Sequence, residues 1–127
     1  MMKVLIIDDD QIRVPTLEQL GRRFVGDENA EVTHSEVFQS NWDDYNLVML
    51  DHDLGAGGDV YDHVREAYPQ GYDGDAVILI HSMNPVGARN IYKQLGNRGI
   101  IFPYGRMLTI LTEETAFSYT ESVRCFL

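Results

Sequence analysis

The residues able to do chemistry fall in three short groups: Asp8-Asp9-Asp10, Asp51-His52-Asp53, and His81-Ser82 with Asn84 close behind. Carboxylates packed together repel, and one of them keeps its proton unless a cation intervenes. A hard divalent cation with oxygen ligands is the economical remedy. Mg²⁺ keeps several waters and takes only one or two carboxylates, which suits Asp8 or Asp9 together with Asp51. His52 and His81 have the side chain that gains and loses a proton near neutral pH. The same pair could bind a transition metal, but their wide spacing carries no ligand signature. Asn84 precedes a proline in the manner of a helix cap, and the free N–H groups of such a helix start favour a phosphate-sized anion. The competing reading is that the aspartates only stop strands and cap helices.

These groups converge only if the chain folds in one way. Lys3–Ile7, Leu47–Leu50, Ala76–Ile80 and Gly99–Phe102 are short apolar runs rich in β-branched residues. They read as strands buried on both faces, and Glu31–Thr33 is a weaker one. Between them, Leu17, Leu20 and Phe24 recur at helical spacing behind Pro15, and Gly26 ends that helix. Ser35 is expected to cap a short helix through Trp42. Asp59 caps one carrying Val60, Val64 and Ala67. Asn84-Pro85 opens one with Ala88, Ile91, Tyr92 and Leu95 inward. Residues 104–112 fit helix and loop equally, and Glu113–Phe126 is expected to be a last helix. Alternating strands and helices predict an α/β, doubly wound open sheet of parallel strands with helices on both faces. Ligands of such sheets bind beyond the carboxyl ends of the strands, where all three polar groups stand, together with Tyr104 and Arg106.

Composition narrows the class further. The 127 residues suffice for one domain with its own core, and no linker or repeat divides them. Apolar residues make up 44% and charged residues 24%, as in ordinary globular proteins. Twenty acids against ten Lys and Arg give a net charge of −10, which repels polyanions, so no extended nucleic-acid surface is expected. Trp42 and Tyr45 therefore read as packing groups, and no role is assigned to His34 or His63. The single Cys125 reads as a packed thiol in a reducing compartment. No apolar run reaches the ~20 residues that span a bilayer, and the N-terminus is no signal peptide, so a cytoplasmic location is expected.

The acidic pair after the first strand, the aspartate after the third, the hydroxyl after the fourth and Pro103 after the fifth resemble the CheY-like receiver superfamily over about residues 3–103. The resemblance implies a strand order 2-1-3-4-5, Asp8 and Asp9 as Mg²⁺ acids, and Asp51 as phosphoacceptor. It also implies Asp53 as a metal ligand through its backbone carbonyl, and His81 or Ser82 at the conserved Thr/Ser. Phe102 stands where receivers carry a lysine, and Arg106 or Lys93 would have to replace its charge. Leu50–Gly55 (LDHDLG) with His81–Ala88 (HSMNPVGA) is similar to a divergent branch, the cyclic-phosphate-processing receiver-like proteins of bacteria and their viruses. That branch implies phosphoesterase chemistry on cyclic or terminal phosphates of nucleotides or RNA ends. Asp8, Asp9 and Asp51 would hold Mg²⁺ or Mn²⁺, His52 and His81 would move protons, and Ser82 and Asn84 would bind phosphate. The alternative is a receiver phosphorylated at Asp51, or binding ligand there, and docking on a protein partner.

Overall fold

The computed structural model describes residues 1–112. The expected helix over 113–126 and Cys125 lie outside them. Five strands, β1 (Lys3–Ile7), β2 (Glu31–Ser35), β3 (Leu47–Leu50), β4 (Val77–Ile80) and β5 (Ile100–Ile101), form one sheet. Its order is β2-β1-β3-β4-β5, and all four pairings are parallel. The helices are α1 (Val14–Val25), α2 (Val60–Ala67), α3 (Pro85–Gln94) and α4 (Tyr104–Thr112). No helix among the described residues is long and apolar enough to cross a membrane.

The apolar runs bury both faces, as their composition requires. Leu5, Ile7, Val48, Leu50, Ile78 and Ile80 pack toward α2 and α3 with Val60, Val64, Ala88 and Ile91. Val4, Ile6, Met49 and Leu79 pack on the other face with Leu17, Leu20, Phe102 and Met107 of α1 and the β5–α4 segment. Alternate residues of each strand thus serve opposite layers. The ambiguous 104–112 segment is helical because Met107 enters this second core.

One expected helix is absent. Ser35 does not cap a helix. It ends β2, and its hydroxyl donates to Val37 O and accepts from Val37 N, closing a local turn. The only helical turn between β2 and β3 is a short 3₁₀ piece, Trp42–Asp44. Trp42 anchors this connection. It is fully buried, its indole N–H donates to Gln39 O at 2.7 Å, and Tyr68 and Tyr72 pack around it.

Strand register places the site. Ile7 is level with Leu50, Leu50 with Ile80, and Ile80 with Ile101. The ladder runs one residue further: Asp51 N donates to Ile7 O, His81 N to Leu50 O and Phe102 N to Ile80 O. Asp8, Asp51, His81 and Phe102 therefore stand side by side at the carboxyl edge of the sheet, each fixed by backbone hydrogen bonds.

Candidate active site at the carboxyl edge of the sheet

Donor atoms of Asp8, Asp51 and His81 all lie within 4.8 Å of one another, and all three residues are buried. His81 is wholly inaccessible and donates from Nε2 to Asp8 Oδ2 at 2.8 Å. Its Nδ1 finds no partner among the described residues. Asp8 Oδ1 accepts from the Asp10 backbone at 2.8 Å. Asp51 Oδ1 accepts from the His52 backbone at 2.8 Å.

The group that neutralises this cluster is Arg13. Its Nη2 lies 3.1 Å from Asp8 Oδ1 and 3.0 Å from Asp51 Oδ2. Its Nε is 3.4 Å from Asp10 Oδ2, and its guanidinium stands 5.8 Å from the centre of the Tyr104 ring. Burial alone would push the Asp8 carboxyl up. The His81 hydrogen bond, the Asp10 N–H and the charges of His81 and Arg13 outweigh it and hold Asp8 below its usual range. Asp51 goes the other way. Burial pushes it up, and the Asp8 charge adds to that against the pull of His81, the His52 N–H and Arg13. The Arg13 guanidinium loses hydration, yet Asp8 and Asp51 hold its proton more firmly than usual.

Above the cluster opens a cleft of about 800 Å³ whose lining includes Asp9, Arg13, Asp51, His52, Ser82 and Asn84. Asp8 and His81 are beneath its floor, and Asp51 is the member of the triad that reaches it. His52 forms one wall. Its Nε2 is 3.2 Å from Asp59 Oδ1, an oxygen that also caps α2 by accepting from Tyr61 N. The ring lies flat against the first turn of α3. A Cβ on Gly87 would overlap three imidazole atoms, so only glycine admits His52 there. Asp9 is exposed and faces Gly55, where φ is +58° and a Cβ would meet Asp9 Oδ2 at 2.9 Å. The Asp53 carboxylate accepts from Gly55 N at 2.8 Å and lines the cleft rather than joining the buried cluster. Ser82 Oγ accepts from Asn84 N, and Asn84 Oδ1 accepts from Gly87 N at 3.1 Å, the expected cap of α3.

Of the predicted residues, Asp8, Asp51 and His81 form one buried contact set. His52, Asp9, Asp53, Ser82 and Asn84 line the cleft around it. Neither expected substitute for the lysine is in the cluster: Lys93 is exposed in the last turn of α3, and Arg106 is exposed on α4. Phe102 is fully buried in the core. The cation comes instead from Arg13, which sequence reasoning missed. Its signal was positional. Arg13 occupies the N-cap of α1, a helix with no acid in its first turn. A cation is unfavourable at the positive end of a helix dipole unless carboxylates compensate it. His34 and His63 both serve backbone carbonyls: Nε2 of His34 pairs with Asp8 O and that of His63 with Gly57 O, each at 2.7 Å.

The same architecture recurs in solved structures. A signal receiver domain of a DNA-binding response regulator from Colwellia psychrerythraea 34H superposes with a TM-score of 0.60 at 15% identity, covering 87% of this chain and 92% of that one. A CheY-like receiver domain protein from Methanospirillum hungatei JF-1 gives 0.59 at 14% identity, with 87% and 88% covered. A Burkholderia pseudomallei response regulator with a phosphorylated aspartic acid, a calcium ion and citrate gives 0.58 at 16% identity, with 98% and 72% covered. These likenesses establish the receiver fold. A search of curated proteins finds no match. The cyclic-phosphate processing receiver domain family matches residues 3–97. With that match over most of its length and the acidic strand ends in place, the chain belongs to the cyclic-phosphate processing receiver domain family.

Proposed function

We propose that the chain is a metal-assisted phosphoesterase that acts on a cyclic or terminal phosphate of a nucleotide or an RNA end. The observation that carries this reading is a buried carboxylate pair, Asp51 at the floor of a cleft and Asp8 beneath it, with His52, paired to Asp59, in the cleft wall. The donor set suits a divalent cation, since an Asp51 carboxyl raised by burial and by its neighbour's charge is relieved by one. Asp8 and Asp51 would hold it, with the Asp9 carboxylate and the Asp53 backbone at the rim. While the His81 Nε2–H is spent on Asp8, His81 orients that carboxylate rather than ligating, and two carboxylates plus waters are the habit of Mg²⁺ or Mn²⁺. When bound, such a cation polarises a phosphoryl oxygen and makes a bound water more acidic.

The chain's own residues do the rest. His52, oriented by Asp59, takes or returns a proton at the cleft wall. His81 backs Asp8 from below and is the second proton-bearing group of the site. Asn84, whose oxygen is turned to Gly87 N, leaves its amide NH₂ to a phosphoryl oxygen, beside Ser82. The test is hydrolysis of 2′,3′-cyclic nucleotides with Mg²⁺ or Mn²⁺, with loss of about a hundredfold or more in Asp51→Asn and His52→Ala. Absence of turnover, or turnover indifferent to His52→Ala and His81→Ala, rejects the phosphoesterase.

One observation favours a second reading, a receiver that is phosphorylated or binds its ligand at Asp51 and docks on a protein partner. Asp51 is the cluster carboxylate that lines the cleft, and the Burkholderia neighbour carries a phosphorylated aspartic acid with a calcium ion. Under this reading, beryllofluoride with Mg²⁺ shifts the spectrum of the wild type and not of Asp51→Asn, and cyclic nucleotides stay intact.

A further inference from the structure

We propose that Arg13 and a divalent cation compete for the same carboxylate oxygens. Cation binding then expels the guanidinium from between Asp8 and Asp51 into the cleft, where it becomes the group that meets the phosphoryl oxygens. The inference rests on the metal-dependent reading of the site.

The oxygen inventory carries it. Asp8 Oδ2 accepts from His81, and Asp51 Oδ1 accepts from the His52 backbone. The remaining two are Asp8 Oδ1, which also accepts from the Asp10 backbone at 2.8 Å, and Asp51 Oδ2, and a single nitrogen of Arg13 bridges both, at 3.1 and 3.0 Å. A cation shared by the two carboxylates needs those lone pairs. A guanidinium and a divalent cation in one buried gap repel strongly, so occupancy is exclusive.

The structure also provides the outward position. Arg13 N donates to Asp10 O at 3.1 Å and Leu17 N donates to Arg13 O at 3.0 Å, which pins the main chain at the start of α1. Only the side chain needs to turn. It is partly exposed and already lines the cleft, with Asp10 within ion-pair reach of Nε. Turned outward, the planar fork suits bidentate contact with a phosphoryl group. Arg13 would thus neutralise the acids when the site is free and supply, when it is loaded, the positive charge that Phe102 cannot.

The experiment measures Mn²⁺ affinity by electron paramagnetic resonance for the wild type, Arg13→Gln and Arg13→Lys, each checked by thermal unfolding. It also follows the Arg13 Nε–H resonance during Mg²⁺ addition and measures orthophosphate binding to the Mg²⁺-loaded proteins. Competition predicts Mn²⁺ binding at least about tenfold tighter in Arg13→Gln, and an Arg13 resonance that moves and exchanges faster with water as Mg²⁺ saturates. Orthophosphate binds the loaded Arg13→Gln at least about tenfold more weakly. Arg13→Lys keeps the charge without the fork, so it holds Mn²⁺ affinity near wild type while weakening orthophosphate, and the wild-type Arg13 resonance decides the competition if Arg13→Gln fails to fold. Unchanged or weaker Mn²⁺ binding in Arg13→Gln, or an Arg13 resonance indifferent to saturating Mg²⁺, overturns the competition and leaves the metal site standing. Failure of the wild type and both variants to bind Mn²⁺ overturns the metal-dependent reading and the competition with it.

Discussion

Replacing Gly87 by alanine separates the placement of His52 from the stability of the fold. Gly87 lies in the first turn of α3, where alanine is ordinarily the better residue by about 1 kcal/mol. Here the added Cβ would fall on three atoms of the His52 imidazole. The helix cannot retreat. Ala88 and Ile91 are fully buried under it, and Ala88 N is tied to Asn84 O at 2.9 Å. The ring must therefore swing away and lose its 3.2 Å contact with Asp59. Overpacking of this kind costs about 1–3 kcal/mol. Set against the gain in helix propensity, the net destabilisation is about 0–2 kcal/mol, a fall in Tm of at most roughly 8 °C for a chain of this size. The assay is thermal unfolding combined with the imidazole resonances of His52. Gly87→Ala should fold, show displaced His52 resonances, and lose cyclic-phosphate turnover as fully as His52→Ala. A variant stabilised by about 1 kcal/mol with His52 unmoved would refute the packing argument.

Two further predictions concern pH and charge. The Asp51 carboxyl is raised by burial and by Asp8, so the unfolded chain releases this proton first as pH rises past 3.8, and the native state is penalised from there upward. Asp51→Asn removes that penalty. It should raise stability at pH 7 by about 1 kcal/mol, as sites that trade stability for function do, and the gain should vanish below about pH 4 in urea titrations. An Asp51→Asn variant less stable than wild type at pH 7 would contradict this. At the alkaline end, burial and the hydrogen bond to Asp43 push the Tyr72 hydroxyl up to about 12. The unfolded chain ionises its tyrosines near pH 10, so stability should fall by roughly 2–3 kcal/mol between pH 10 and 12. Tyr72→Phe should flatten that slope, and an unchanged slope would refute it.

The sheet and its carboxyl edge were legible because composition and position agree there. Leu47–Leu50 and Val77–Ile80 are apolar at every residue, the pattern of a short strand buried on both faces, which the structure bears out at every position but the exposed Val77, and the polar residue that ends each run then stands at the rim. Parallel pairing in level register converts those three sequence positions into one site. What was not legible depends on side-chain reach. Arg13, just ahead of α1, carries no sequence signal of its reach until the depth of Asp8 and Asp51 is known. Asp59 reads as a cap, and its second partner, His52, is set by how the Gly55–Gly58 turn folds back. Ser35 has the residue type of a helix cap, but its hydroxyl is consumed by Val37, so the expected helix before Trp42 does not start. Gly87 is legible only once the His52 ring is placed against it.

Shared use of Asp8 and Asp51 by a divalent cation is the claim on which the rest depends, and Mn²⁺ broadening of amide resonances tests it most directly. Substoichiometric Mn²⁺ should first erase the amides of 8–10, 51–53 and 81–82, excess Mg²⁺ should restore them, and Asp51→Asn should abolish the effect. Broadening centred on other acidic segments, such as 43–44 or 73–75, with those three stretches intact, would contradict the account.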